Sequence, residues 1–501
     1  MELLGYLQIG FSTAFEPSNL FYCFIGVVIG TLVGVLPGLG PVGAMSLLFP
    51  ITFRASPEAA IIMLSGIYYG AMYGGSTTSI LVNIPGEAAS VVTCLDGYQM
   101  ARQGRAGQAL GISALGSFIG GTLSLLGLML LAPPLSRFAL RFGPAEYFSL
   151  MVLGLTILTY LAHGSILKAI IMAIFGLVLG LVGLDSISGL PRLTLGRLEL
   201  LDGLGLVPIL IGLFGVSEIL VNLEERLTRE VYETKIKGIL PTFEDWARSA
   251  WPIVRGSVLG FFLGILPGGG VIISSFASYG IEKRLSRHPE RFGKGAIEGV
   301  AGPETANNAA TGGAFIPLMT LGIPSNVVMA LLLGAFMIHG ICPGPLLMQD
   351  HPGIFWGVIV SMYIGNLMLL ILNLPLIGIW IQVLKVPYKI LFPIILLLCI
   401  IGSYTVNNRV FDIHLMLIFS VFGYLMRKFG YEGAPLIFAF VLGPLFENNL
   451  RKALIISQGD FSIFLTRPLS LACLVIALVV VLSPLVPHLA RHRKEITKFD
   501  S

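Results

Sequence analysis

Apolar residues run along this chain in long blocks rather than alternating with polar ones, and blocks of about 17 to 25 residues are what a helix needs to cross the hydrocarbon core of a bilayer. Blocks at 19–36, 109–132, 145–162, 166–184, 203–221, 251–266, 353–373, 388–403, 410–426 and 468–487 predict membrane-spanning helices. Between them lie shorter, glycine-rich apolar pieces at 42–52, 58–74, 76–84, 270–281, 296–323 and 325–341. These are too short or too interrupted for ordinary spans. They predict re-entrant hairpins and discontinuous helices.

The pattern occurs twice. GVLPGLG (34–40) returns as GILPGGG (264–270) with five of seven positions identical, and the preceding glycines Gly26, Gly30 and Gly34 return as Gly256, Gly260 and Gly264. Downstream, GAMYGGSTTSILVNIPGEA (70–88) resembles NAATGGAFIPLMTLGIPSNV (308–327), each with a Gly-Gly pair followed by Ile-Pro. Residues 1–221 and 250–465 therefore read as two transmembrane repeats, joined by a charged amphipathic linker at 222–249 and followed by a C-terminal helix and basic tail at 466–501.

Charge orients the repeats, because loops rich in Lys and Arg tend to stay on the cytoplasmic side. The loop 282–294 carries five basic residues against one in its counterpart 53–58, whereas 97–105 carries Arg102 and Arg105 against none in 339–353. Corresponding loops thus fall on opposite sides, the mark of inverted repeats. This places the N-terminus outside and the linker and tail RHRKEITK (491–498) inside, although Arg451 and Lys452 then lie outside, against the rule. The expected fold is an all-α polytopic membrane protein of two inverted-topology repeats with broken helices and re-entrant hairpins.

Composition excludes a water-soluble chain: 55% of residues are hydrophobic, 12% are charged, and the mean hydropathy is +0.88. The 61 glycines and 29 prolines imply close helix packing and helix breaks. MELLGYLQIGFSTAFEPSN lacks the basic start and cleavage site of a signal peptide, so the first span is expected to be retained. Cys23, Cys94, Cys342, Cys399 and Cys473 are scattered, without metal-binding or redox spacing.

Enzyme motifs are missing. GLGPVG (38–43) has the spacing of a dinucleotide fingerprint but follows an apolar helix rather than a strand, and no nucleotide-binding GxxxxGK[ST] or zinc-binding HExxH occurs. His163 and His339 are isolated. No cofactor, catalytic residue or nucleic-acid partner is expected.

The helix breaks carry the chemistry instead. Proline removes a helix hydrogen bond and glycine lets the chain turn, so main-chain groups freed at membrane depth need protein, water or a ligand. Polar residues cluster there: Ser76, Thr77, Thr78, Ser79 and Asn83 in one half, and Glu304, Thr305, Asn307, Asn308, Thr311, Ser325 and Asn326 in the other. Helices beginning after Pro85-Gly86 and Pro324-Ser325 would aim free N–H groups at an anion. Gly38, Gly40, Gly268 and Gly270 would let the main chain approach it, and carbonyls near Leu36, Pro37, Leu266 and Pro267 are candidate Na⁺ ligands. Basic side chains are nearly absent from these segments, so dipoles, hydroxyls and a co-transported cation would meet the ligand's charge.

The paired GxLPGxG motifs, GPETANNAATGG (302–313) and LGIPSN (321–326), in a chain of 501 residues, resemble the TctA family along essentially the whole length. The resemblance implies the large membrane subunit of a bacterial tripartite tricarboxylate transporter, a secondary carrier of the inner membrane driven by Na⁺ or H⁺. It further implies a small membrane subunit and a periplasmic solute-binding protein that delivers citrate or another organic anion; with the loop charges read above, the N-terminus is expected to be periplasmic and the C-terminus cytoplasmic. An anion channel or a stand-alone carrier of the same architecture is the alternative. An intramembrane hydrolase would have to use Glu87 and Glu304, the nearest carboxylate pair.

Overall fold

The computed structural model describes residues 2–36, 40–161, 165–185, 187–225, 238–268, 270–384, 386 and 388–482. Of the described residues, 80% are helical. In the first half, α1 (Glu2–Ala14) precedes α2 (Pro17–Val35) and α3 (Gly40–Thr52), which flank the first break. Next, α4 (Pro57–Val82) turns through a 3-10 segment (Ala88–Ser90) into α5 (Val91–Arg102), followed by α6 (Ala106–Ala139), α7 (Pro144–Leu161) and α8 (Ile166–Gly180). A small antiparallel ribbon, β1 (Gly183–Leu184) with β2 (Pro191–Arg192), pairs Gly183 with Arg192. It leads to α9 (Leu206–Leu210) and α10 (Ser217–Glu225), joined by a π-helical turn at Ile211–Val216.

The second half repeats the order. Helices α11 (Phe243–Ile265) and α12 (Gly270–Leu285) flank the second break, and α13 (Glu298–Leu321) turns into α14 (Val327–Ile338). Then come α15 (Leu347–Asp350), α16 (Pro352–Asn373), α17 (Ile377–Leu384), α18 (Tyr388–Asn407), α19 (Val410–Lys428), α20 (Gly433–Ile456), α21 (Ile463–Thr466) and α22 (Pro468–Leu482). Six of the described segments are long and apolar enough to cross a membrane: α2, α6, α7, the α9–α10 segment, α16 and α19.

Local sequence explains where the central helices begin and end. Ser56 caps α4 by accepting from the Ala59 N–H at 3.2 Å, with Pro57 in the first turn, and Asn83 ends the helix in the left-handed region at φ 60°. In the second half Gly322 closes α13 at φ 69°, and Asn326 caps α14 by accepting from the Met329 N–H at 2.9 Å.

Glycines decide the packing. A Cβ at Gly26, Gly30 or Gly34 would run into the carbonyls of Met63, Ile67 and Ala71, so α2 lies directly on α4 with the two helices parallel. Equivalently, Gly256, Gly260 and Gly264 meet Gly302, Ala306 and Ala310, and α11 lies on α13. The expected interruption between 58–74 and 76–84 is not found: α4 is one helix, buried from Ala59 to Val82. Gly74 explains why, since a Cβ there would strike the Thr31 carbonyl; the glycine serves close approach rather than a turn.

Helices α4 and α13, counterparts in the two repeats, meet at the centre of the molecule. Tyr68 lies against Phe315, their ring centroids 6.5 Å apart and their planes tilted by 38°, while Ser76 hydrogen-bonds Glu304. Residue numbers rise along one helix as they fall along the other, so the counterparts run antiparallel, as inverted repeats require. The halves are also interlaced. From the second half, α20 lies on α7 and α8 of the first, with Gly176 against the Leu436 carbonyl, and α19 lies on the π-turn, with Gly212 against the Met416 carbonyl.

Candidate functional site

Each break touches the helix tip of its own half. In the first, Gly86 abuts the Gly34 carbonyl and Gly75, and the Thr78 hydroxyl donates to the Val35 carbonyl at 2.7 Å. In the second, the Gly268 N–H donates to the Ser325 carbonyl at 2.8 Å, with Gly268 at φ +114°. Residues from all four elements line one cavity of about 460 Å³, including Gly40, Glu87, Gly268 and Asn326.

Helix N-termini surround this cavity. Its wall includes Gly40, Pro41 and Val42 at the start of α3, Ala88 of the 3-10 turn, Val271 and Ile272 of α12, Val327 and Val328 of α14, and Gly433 and Ala434 of α20. The first N–H groups of a helix lack partners within it and carry roughly half a positive charge together, so such a wall favours an anion. The volume lies within the range of about 300–1,000 Å³ typical of small-molecule sites.

Polar side chains complete the wall. Asn326 donates to the Tyr68 hydroxyl at 3.1 Å while its carbonyl oxygen caps α14. Glu87 accepts from the Ala89 N–H at 2.6 Å and from Asn307 at 3.0 Å. Arg427, from the last turn of α19, also faces the cavity and is ion-paired with Glu218. Behind the wall, Glu304 is fully buried and receives hydrogen bonds from Ser76 and Thr93.

The other expected residues lie apart from this cavity. Asn83 is an exposed C-cap, Pro85 is half-buried, and Thr77 and Pro324 are buried in the helix assembly. Gly270 is buried where a Cβ would meet the Leu263 carbonyl. Asn308 and Thr311 line a second void of about 20 Å³ with Ser124 and Asn366, room for about one water. Leu36 ends α2, its N–H reaching Leu32 and Val33, and Leu266 and Pro267 follow α11. Pro37 and Gly38 lie outside the described residues.

Sequence reasoning missed Tyr68, Met72, Phe214, Arg427 and Tyr431, all on the cavity wall. The break segments themselves carry almost no basic side chains, and Arg427 reaches the cavity from α19, distant in sequence from both breaks. Next to Lys428 at the end of an apolar run, it reads as an interfacial anchor. The π-turn that presents Phe214 leaves no sequence signal, though such turns often mark functional sites.

Residues 20–438 match the tripartite tricarboxylate transporter TctA family. An uncharacterized 52.8 kDa protein in the TAR-I ttuC' 3' region of Agrobacterium vitis is 52% identical over 496 residues, which are 99% of each chain. An uncharacterized protein in the TAR-II ttuC' 3' region of the same organism is 52% identical over 237 residues, 47% of this chain and 98% of the relative. No solved structure matches.

Proposed function

Since this chain belongs to the tripartite tricarboxylate transporter TctA family, we propose that it is the large membrane subunit of a binding-protein-dependent carrier that imports tricarboxylates or related organic anions by cation symport. The observation that carries the reading is the 460 Å³ cavity between the two broken helices and the two helix tips, walled by helix N-termini. A di- or tricarboxylate in it would meet main-chain N–H groups, the Tyr68 hydroxyl and the Arg427 guanidinium. Its position between parts of two antiparallel halves suits alternating access, in which one element rocks against another around a fixed site. A channel would instead need a continuous polar path.

A tripartite family supports further subunits, and the proposed partners are a small membrane subunit and a periplasmic receptor that captures the anion, with this chain in the bacterial inner membrane. Proteoliposomes test this. The chain with both partners should accumulate a radiolabelled tricarboxylate under a cation gradient, and the chain alone should be nearly inactive. Robust uptake without partners, or currents far above carrier turnover, would contradict the reading.

A further inference from the structure

Beside Glu87 and Glu304 two buried amide oxygens, those of Asn307 and Asn308, have no hydrogen-bond donor. Asn307 donates its amide N–H to the Glu87 carboxylate at 3.0 Å. A carboxylate accepts, so this bond fixes which end of the amide is nitrogen and which is oxygen. The amide oxygen then has no hydrogen-bond partner, although Asn307 is only 1% exposed. Asn308 shows the same arrangement: its N–H groups serve Ser117 at 2.7 Å and the Glu304 carbonyl at 3.1 Å, and its amide oxygen is unpartnered. Among the described residues, neither Glu87 nor Glu304 has a Lys, Arg or His within ion-pair distance.

Buried acceptors cost free energy unless an N–H or O–H donor or a cation meets them. Two kinds of cation fit a carboxylate. A proton on Glu87 would neutralise it and could be donated to the Asn307 oxygen only with the amide turned round, which would move the amide N–H groups to the side where the oxygen now has no partner. A hard metal cation takes carboxylate and amide oxygens alike. No group of three or more acidic, His or Cys side chains gathers among the described residues, so the charge available suits a monovalent ion. The Gly34 carbonyl, at the negative end of α2, abuts Gly86 beside Glu87 and adds a main-chain oxygen to the same neighbourhood.

We propose that Glu87 and Asn307 form a sodium-ion site where the tip of one half meets α13 of the other. Glu87 also lines the anion cavity, so a bound Na⁺ offsets the charge that otherwise repels an entering carboxylate, and each ion favours the other. As the coupling site of a carrier, this rests on the function proposed above; binding itself is measured without transport.

The test is binding of radiolabelled Na⁺ to the purified, detergent-solubilised chain by scintillation proximity. Wild type should bind saturably, with unlabelled Na⁺ competing and K⁺ not. Glu87→Gln and Asn307→Ala should each weaken binding by roughly tenfold or more, and Thr405→Ala, on an exposed face of α18, should not. Asn307→Asp keeps an oxygen in place and should retain binding, which separates lost ligation from lost fold. No saturable Na⁺ binding by wild type, wild-type affinity in both Glu87→Gln and Asn307→Ala, or loss in a normally melting Asn307→Asp would overturn the site. Intact Na⁺ binding with no anion uptake in the presence of both partners would count against the carrier reading alone.

Discussion

At Gly260 an added Cβ would collide with the main chain of Ala306, whereas at Gly40, with φ +57°, it would meet nothing within 4 Å. The two substitutions therefore separate packing from backbone freedom. Gly260→Ala should force α11 off α13 and sharply lower membrane abundance, while Gly40→Ala should cost only the left-handed strain of about 1–2 kcal/mol and leave abundance near wild type. Immunoblotting of membranes decides, and equal abundance would refute the distinction. The Tyr68 hydroxyl oxygen accepts a hydrogen bond from the Asn326 amide on the cavity wall. Tyr68→Phe should fold normally and weaken apparent affinity for the anion in proteoliposomes by up to roughly tenfold; unchanged uptake kinetics would remove the hydroxyl from the site. The glycine ladder was legible because its spacing of four repeats in both halves. Tyr68 was not, since one tyrosine in a buried apolar helix looks like core.

Two buried carboxylates clamp elements that the sequence leaves unconnected. Asp96 on α5 accepts from the N–H groups of Gly293, Gly295 and Ala296 at 2.9, 2.7 and 2.8 Å, and from the Tyr279 hydroxyl at 2.9 Å, tying the loop before α13 to the first half. Asp96→Asn loses the charge that all four donors face, a loss on the order of 3 kcal/mol. Trypsin should then cut faster at Arg287 and Arg291, and an unchanged digestion rate would contradict the clamp. In the ribbon after α8, N–H groups of Ser188 and Ile187, and then Arg451 of α20, hold the Asp185 carboxyl well below the usual carboxylate range. A depressed folded value stabilises above the unfolded pKa of about 3.9 and loses that contribution as pH falls toward the folded value. The melting-temperature gap between wild type and Asp185→Asn should therefore be constant above about pH 5 and narrow below about pH 4; a constant gap down to pH 3 would contradict it. The long spans α2, α6, α7, α8, α16, α18, α19 and α22 were readable as apolar blocks, whereas α1, α5 and α20 were not, because polar or charged residues interrupt their apolar runs. Nor was the continuity of α4, because a Gly-Gly pair reads equally as a turn or as a contact face.

Over the whole molecule, the antiparallel meeting of α4 and α13 matches the inversion inferred from loop charge, which predicts that 282–294 is cytoplasmic and 339–353 periplasmic. Cysteines at Ser286 and Gln349, in a background without the exposed Cys342, should label from opposite faces, and labelling of both from one face would refute that arrangement. Arg451 strained the charge rule, and its pairing with Asp185 and Glu447 at 2.7 and 3.1 Å supplies a reason: it is neutralised locally rather than free to orient a loop. The interlacing of α19 and α20 with first-half helices left no trace in the sequence, because apolar faces specify partners by shape rather than by pattern. It is also what brings Arg427 and Tyr431 to the cavity.

The central claim, one anion site shared by the two inverted halves, is tested most directly by substrate protection. Ala88 and Val327, from the tips of opposite halves, both line the cavity. With Ala88→Cys and Val327→Cys placed singly in the Cys342-free background, a membrane-permeant maleimide should modify each, and a transported tricarboxylate should slow both reactions in the presence of the partner proteins. Protection of neither cysteine, or of only one, while uptake proceeds would contradict a shared site.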